Sequence, residues 1–321
     1  EIMSSDWSSD VCSSDLTDTW GMLLEAYARA GDVPVKERES VAESGPVVHC
    51  LRQTGTVGAS SVQMDWLAWV GSPWTELRLR INWQNARRAL LLEIPTHLTD
   101  ARVIAAGPGD DVDRLQTRNV EPCQDWVALD GEIDGKACTV AVVNDGVYSY
   151  DCRDGVLRMT CVRSAAYTEH PPAKVSPEYD GPYLDQGWQT LRFWFRAADG
   201  EHGALALARG AMELQSPPAA VLDSAHPGDL PWMHASLEIT PASVAVLACK
   251  PAGDGAGIVV RLRETAGEST QAIVSFPFAG AHARVELSPH EIATVYVARD
   301  GEHVTCTPLD LCERRHTAAR F

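Results

Sequence analysis

The side chains best suited to chemistry gather in one stretch of the sequence, from Ser164 to Trp188, directly after Arg163. Aromatic rings stack on the apolar faces of sugar rings, and acidic or guanidinium groups hydrogen-bond to hydroxyls, so this combination suits a sugar-binding surface. The alternative is that prolines merely stiffen a surface loop, and composition alone leaves both interpretations open. The candidates are Tyr167, His170, Tyr179, Asp180, Tyr183, Asp185 and Trp188, and the prolines are Pro171, Pro172, Pro177 and Pro182.

Hydrolytic chemistry has less support in the sequence. A glycosidase places two carboxyl groups across the scissile bond. Glu178, Asp180 and Asp185 supply carboxylates, but the sequence does not fix their separation, and a solvated acidic loop is the competing interpretation. The histidines form no H-E-x-x-H motif, no G-x-S-x-G motif is present, and Cys161 lies in a strand pattern typical of a buried, inert thiol. We therefore predict no catalytic residue and no metal ligand in this chain.

Three strand-like runs must position these side chains, at Val140–Val143, Val156–Arg163 and Gln189–Arg196. The sequences Asn144-Asp145-Gly146 and Asp154-Gly155 predict hairpin turns, because Asn, Asp and Gly tolerate left-handed backbone. A stretch as long as Ser164–Trp188 without regular structure is uncommon in a compact domain unless it is functional or disordered.

Alternating polarity predicts the fold class. In Glu76–Trp83 the odd-numbered residues are apolar and the even-numbered residues are polar, which indicates a half-buried antiparallel strand. Many short strands without amphipathic helices between them predict an all-β sandwich or barrel. One short helix is predicted over Met22–Ala30. Further strands are predicted at Val47–Gln53, Val62–Val70, Ala89–Ile94, Trp126–Leu129, Ala204–Ala208, Val244–Cys249, Ile258–Arg263, Ala272–Phe276, Ala283–Leu287 and Ile292–Ala298.

Composition excludes several classes of partner. The 321 residues carry 44 acidic and 27 basic side chains, a net charge of −17, and no long basic cluster, which argues against nucleic acid and against an anionic membrane. The nine cysteines form no C-x-x-C motif, so we expect neither a disulfide framework nor a structural zinc site. A reducing cytoplasm is the expected location. No apolar run reaches the roughly 20 residues that a membrane span needs.

Residues 1–16 contain S-S-D three times without any strand or helix period, and we interpret them as a non-native leader. The chain begins at Glu1, so we expect it to be the tail end of a longer protein. Proline and small polar residues predict a linker over 216–232. It separates a large domain over 17–215 from a smaller domain over 233–300, and residues 301–321 lose the alternation and are predicted as a tail.

A set of short motifs resembles, in the same order, the C-terminal half of glycoside hydrolase family 38, the α-mannosidases. Each motif is weak alone, but together they cover Asp18 to Ala298. The motifs are D-T-W-G (Asp18–Gly21), E-x-G-P-V (Glu43–Val47), N-W (Asn82-Trp83), Q-D-W-V-A-L (Gln124–Leu129), V-N-D-G-x-Y-x-Y-D (Val143–Asp151), L-R-x-x-x-x-R-S-x-x-Y (Leu157–Tyr167), D-Q-G-W (Asp185–Trp188), R-L-R-E-T-A-G (Arg261–Gly267) and S-P-H-E-I-A-T (Ser288–Thr294).

The resemblance implies a large β supersandwich, similar to galactose mutarotase, followed by a small C-terminal β-sandwich. It also implies that the full-length enzyme hydrolyses terminal α-mannosidic bonds with retention, using zinc and a nucleophile in an N-terminal barrel that this sequence lacks. The fragment is then expected to be inactive alone, with no cofactor, and to contact a mannose-containing carbohydrate and the missing catalytic domain. The resemblance makes Arg163 the best candidate for a sugar contact, followed by Tyr167 and Asp185, although an ion pair of Arg163 with Asp185 is an open alternative.

Two departures from the family pattern affect the site. The loop after Tyr167 is longer than usual, and Met22 stands where a histidine commonly follows D-T-W-G. Two other functions remain open: a stand-alone carbohydrate-binding β-sandwich, and a mutarotase-type epimerase that would use groups such as His170 and Glu178. Assembly into a homo-oligomer is also left open.

Overall fold

The computed structural model describes residues 12–14, 34–167, 176, 178–200, 204–229, 232–277, 280–300 and 303–315. The predicted helix Met22–Ala30 and the candidate His170 lie outside these residues. The chain divides into two compact units, Glu1–His202 and Gly203–Phe321. No helix in the described part of the chain combines the length and the apolar character needed to cross a membrane.

The first unit is built from antiparallel strands alone, in the residues described. Their bounds are β1 Cys12–Ser14, β2 Val35–Ser44, β3 Val48–Val57, β4 Ser60–Trp69, β5 Thr75–Trp83, β6 Arg88–Pro95, β7 Thr99–Ala106, β8 Asp111–Arg114, β9 Thr117–Pro122, β10 Trp126–Ile133, β11 Lys136–Asp145, β12 Ser149–Arg153, β13 Val156–Arg163 and β14 Gly187–Asp199. Nine of them form one sheet in the order β2-β3-β4-β5-β14-β11-β10-β7-β8, and five form another in the order β1-β6-β13-β12-β9.

These two sheets share one apolar core, so the first unit is a β-sandwich. The odd-numbered residues of β5, from Leu77 to Trp83, are all at most 3% exposed and belong to this core, together with Leu157 and Met159 of β13. The alternation predicted for β5 is therefore confirmed on its apolar side. The all-β prediction is confirmed as well, since strands dominate both units.

The predicted turn Asp154-Gly155 joins β12 to β13. Both residues have positive φ angles, 53° and 73°, and Gly155 comes so close to the chain that an added Cβ would lie 2.8 Å from the carbonyl oxygen of Leu98. Glycine is therefore required at position 155 by both backbone conformation and space.

The second unit contains one helix and a smaller sandwich. Its elements are α1 Ala204–Gln215, β15 Glu238–Thr240, β16 Val244–Pro251, β17 Gly257–Glu264, β18 Thr270–Phe276, β19 Ala281–Leu287, β20 Ile292–Asp300 and β21 His303–Leu309. One sheet has the order β15-β18-β19 and the other β16-β17-β20-β21. Residues of both sheets, such as Val260 and Phe276, pack in one core.

Three details of the predicted organisation differ from the structure. The predicted strand Ala204–Ala208 is wrong, because these residues begin helix α1. The two units divide between His202 and Gly203, before the predicted end of the first domain at residue 215. The predicted tail 301–321 contains strand β21, whose pairing with β20 gives it a place in the four-stranded sheet despite its weak alternation.

Candidate functional site

The structure brings two of the three predicted site residues together. Arg163 is the last residue of β13, and Asp185 lies in the turn before β14 with a φ of 53°. The Asp185 carboxylate accepts a hydrogen bond from the backbone N–H of Arg163 at 3.1 Å. Asp185 thus fixes the end of the long loop through the backbone of Arg163, and a sugar contact by the guanidinium stays a prediction. We call Arg163, Tyr167 and Asp185 the rim.

Tyr167 lies on the same loop and points largely to solvent. Its side chain is 59% exposed. Its backbone N–H donates to the carbonyl oxygen of Pro182 at 2.9 Å, and the N–H of Leu184 donates to the carbonyl oxygen of Ala165 at 3.0 Å. The two ends of the loop are therefore held side by side in short antiparallel pairing, which presents the Tyr167 ring without burying it.

Ser164, next to Arg163, anchors the loop to the turn before β6. Its carbonyl accepts from the N–H of Arg87 at 2.9 Å, and its hydroxyl accepts from the side-chain amide of Gln186 at 2.6 Å. The residue is completely buried. Ser164 therefore has a structural role in this arrangement.

Two candidate aromatic residues of the loop also have structural roles. Tyr179 and Tyr183 contact each other edge to face with ring centroids 5.4 Å apart. The Tyr179 hydroxyl lies 2.9 Å from the carbonyl oxygen of Pro182, and Arg87 donates to the Tyr183 hydroxyl at 3.3 Å. These contacts order the loop, so Tyr167 and Trp188 are the aromatic candidates that remain exposed.

Glu178 is poorly suited to act as a general acid. It is exposed, and its carboxylate accepts a hydrogen bond from the Ser176 hydroxyl at 2.5 Å. This hydrogen bond lowers the pKa of Glu178 below its ordinary value. A carboxylate that holds its charge more strongly is a weaker proton donor near neutral pH, and the proposed partner His170 lies outside the described residues.

The motifs around β12 and β13 contain a buried ion pair that sequence reasoning missed. The Nε of Arg158 donates to Asp151 Oδ1 at 2.8 Å, and the side chains are 7% and 1% exposed. A small pocket of about 90 Å³ lies beside the pair. The two residues face each other across the β12–β13 hairpin, at directly paired positions, which the turn Asp154-Gly155 could have indicated. The pocket lining comprises Glu93, Asp151, Arg153, Asp154, Val156 and Arg158.

A second network lies on the outer face of the nine-stranded sheet. Glu76, placed by its pattern on a polar face, is 2% exposed. It accepts hydrogen bonds from Arg78 at 2.7 Å, from the Trp69 indole at 2.9 Å and from Arg192 at 3.0 Å. Burial alone would raise the pKa of Glu76, but these donors hold that pKa below its ordinary value. The polar side of β5 is therefore partly buried, contrary to the simple alternation.

The described residues do not supply a zinc site. Within them, no three His, Cys, Asp or Glu side chains come together in a way that could hold a metal ion. Four ligands, or three and a water, are what protein-bound zinc requires. We therefore derive no step through a metal from this chain.

The protein thus consists of two antiparallel β-sandwich units, and the first unit carries the exposed aromatic side chains Tyr167 and Trp188. Residues 17–174 match the family model described as the glycosyl hydrolases family 38 C-terminal domain. This segment belongs to that family.

Solved structures agree with this assignment at the level of the fold. An α-mannosidase from Enterococcus faecalis V583 superposes with a TM-score of 0.72 at 16% identity, over 89% of this chain and 38% of the other. A protein in glycosyl hydrolase family 38 from Enterococcus faecalis gives the same TM-score and identity, over 89% of this chain and 39% of the other. The chain thus spans about two fifths of the length of these structures. A comparison with curated proteins found no match.

Proposed function

We propose that this chain is the C-terminal part of a retaining α-mannosidase that cleaves terminal α-mannosidic bonds. The observation that carries the proposal is the family 38 C-terminal match over residues 17–174. The complete enzyme would take zinc and its nucleophile from a catalytic domain outside this chain. The sandwich would supply domain packing and contacts to a mannose-containing carbohydrate.

The rim supports the carbohydrate contact. The Asp185 carboxylate orders the end of β13 at 3.1 Å from the Arg163 backbone, and Tyr167 offers an exposed ring four residues further along the chain. A planar guanidinium at a fixed strand end has several N–H donors in one plane, which suits two neighbouring sugar hydroxyls. In this proposal Arg163 donates hydrogen bonds to hydroxyls, Tyr167 stacks on a ring face, and Asp185 accepts a hydrogen bond from a hydroxyl while it positions Arg163.

The proposal predicts that the chain alone does not hydrolyse mannosides. Zinc and an aryl α-mannoside would be added to the purified 321-residue chain. We expect no phenol release above a heat-inactivated control, because no described residue is placed in a catalytic role. Turnover above that control would refute the assignment of catalysis to another domain.

The role of the rim is tested in a full-length protein that contains both this chain and the catalytic domain. Arg163→Ala should raise KM for an aryl α-mannoside about tenfold, the order expected for loss of a charge-assisted hydrogen bond. Arg163→Lys keeps the charge but not the paired donors, and should recover part of the loss. Unchanged kinetics together with a lowered Tm would instead support a purely structural role for Arg163.

A second candidate function is a stand-alone carbohydrate-binding sandwich. The exposed rings of Tyr167 and Trp188, 59% and 62% exposed, favour it, because they are available without any second domain. A reading frame upstream that carries an H-x-D zinc motif would exclude it. We propose a cytoplasmic location in either case. The support is that the nine cysteines form no C-x-x-C motif and do not suggest a disulfide framework.

A further inference from the structure

Trp188 is a large aromatic side chain that is exposed near the start of β14. It is the second residue of β14 and lies opposite Asn82 of β5. Further along β14, Trp194 on the same face is 3% exposed, whereas Trp188 is 62% exposed. None of the loop contacts described above involves the Trp188 side chain.

The guanidinium of Arg80 lies over the Trp188 ring, 4.7 Å from its centroid. Such a stack holds the indole in a fixed plane. Because one face of the ring rests on Arg80 and the side chain remains 62% exposed, the opposite face is open to solvent. The ring is thus pre-oriented, which lowers the entropic cost of binding. We call Arg80 and Trp188 the platform.

Arg80 differs from two other arginines of this sheet that stack on tryptophan, Arg78 and Arg192. Arg78 and Arg192 lie over Trp69 and Trp194, and both are also bound to the Glu76 carboxylate. Within the described part of the chain, Arg80 makes no ion pair. Its charge is therefore not engaged in the Glu76 network, and no described carboxylate holds its N–H donors.

The residues paired directly with the platform are polar and neutral. The strand register places Gln63 of β4 and Thr190 of β14 on either side of Arg80. Next to Trp188, Asn82 accepts a hydrogen bond from the side-chain amide of Gln84 at 2.9 Å. Three adjacent strands span about 10 Å, so the surface is wider than one sugar ring. A flat ring, one cation and neutral amides and hydroxyls match a neutral carbohydrate better than an apolar or anionic partner.

We propose that the platform is a carbohydrate-binding surface that adjoins the rim, only three residues beyond Asp185. An oligosaccharide would stack one ring on the open face of Trp188, and its hydroxyls would bond to Arg80 and the neighbouring amides. The choice of a mannose-containing ligand rests on the proposed function. The rim would contact one sugar and the platform another unit of the same chain.

Affinity electrophoresis of the complete 321-residue chain tests the platform. Native gels with and without soluble α-mannan would be compared, with an α-glucan gel for specificity. We expect α-mannan to retard the wild type, and Trp188→Ala and Arg80→Ala each to weaken the apparent affinity about tenfold. Tyr148→Ala removes an equally exposed ring, 64% exposed, and should leave the mobility shift unchanged.

The possible results separate the platform from the rim. The proposal would be overturned if α-mannan retarded Trp188→Ala as strongly as the wild type. It would also be overturned if α-mannan did not retard the wild type. Loss of retardation in Tyr167→Ala with Trp188→Ala unaffected would also overturn it and would place the ligand at the rim. If Trp188→Ala has a lowered Tm, Arg80→Ala, which keeps the ring, decides the result. Failure of the proposed function would appear separately, in the mannoside turnover of the complete enzyme.

Discussion

Substitution of Glu264 by glutamine should destabilise the second unit. Glu264 ends β17 and is completely buried, and its carboxylate accepts hydrogen bonds from four backbone N–H groups. The donors are Ala266 at 2.8 Å, Gly267 at 2.7 Å, Glu268 at 3.1 Å and His290 at 3.2 Å. The carboxylate therefore ties together the loops after β17 and before β20, which contain the R-L-R-E-T-A-G and S-P-H-E-I-A-T motifs.

Glutamine fills the same space but offers one acceptor oxygen instead of two. We assume that this oxygen keeps the three N–H donors that now bind Oε2. The side-chain NH₂ then faces the N–H of Ala266, and because both groups are donors, one charge-assisted hydrogen bond is lost. We expect a loss of about 2 kcal/mol, and a Tm lower by about 8 °C for a unit of this size. Glu268→Gln, at an exposed position of the same loop, is the matched control.

The pH dependence gives the prediction a second measurement. Burial alone would raise the pKa of Glu264, but the N–H donors of Ala266, His290, Gly267 and Glu268 hold it below the ordinary value of 4.5. A carboxyl whose pKa is depressed by folding stabilises the protein above its unfolded pKa, and this contribution disappears as the pH falls through the folded pKa. The Tm difference between wild type and Glu264→Gln, followed by calorimetry, should therefore be full at pH 7 and shrink below pH 4.5. Equal Tm values at pH 7, or a gap that does not change with pH, would refute this reasoning.

Three further outcomes are expected. Gly267→Ala should lower the free energy of unfolding in denaturant titration by about 1–2 kcal/mol, because position 267 has a φ of 75° and a Cβ there would lie 2.7 Å from His290 Nε2. Arg158→Met should cost about 3–5 kcal/mol by the same measurement, because it leaves the Asp151 carboxylate buried without its cation, and a loss below 1 kcal/mol would contradict a buried pair. Burial raises the pKa of the Cys123 thiol to about 12, so a thiolate-specific reagent followed by mass spectrometry should modify Cys123 only on unfolding.

Much of the fold could be predicted because one-sided burial leaves a period-two pattern. The β5 strand and the Asp154-Gly155 hairpin are both local features of the sequence, and both are confirmed. The run ALALA at Ala204–Ala208 led to a wrong strand prediction, because five alternating residues fit a strand as well as the start of a helix. Only the longer spacing of Leu207 and Ala211, both buried and four apart, identifies α1.

The site could be predicted only in part, because the chemistry depends on contacts between distant strands. An ion pair of Arg163 with Asp185 was one of two alternatives for Arg163, and the observed hydrogen bond to Asp185 involves the backbone of Arg163. The burial of Glu76 was not predictable from polarity, because it results from donors on β4, β5 and β14. Likewise, the sequence does not show which aromatic residues of the loop are exposed. Only the packing shows that Tyr179 contacts the loop and that Trp188 is exposed.

The open edge of the nine-stranded sheet bears on how the chain behaves at high concentration. Strand β2 pairs only with β3 in the described residues, and so its other side presents unpaired N–H and C=O groups that could recruit a strand from another molecule into a growing fibre. Five of its ten residues are charged, and its pairing is interrupted twice by bulges. Pairing of two such edges would bring these charged side chains into a sheet interior, and the bulges bend the strand out of register. Concentrated solutions should therefore resist fibril growth from this edge, although the sheet is wide.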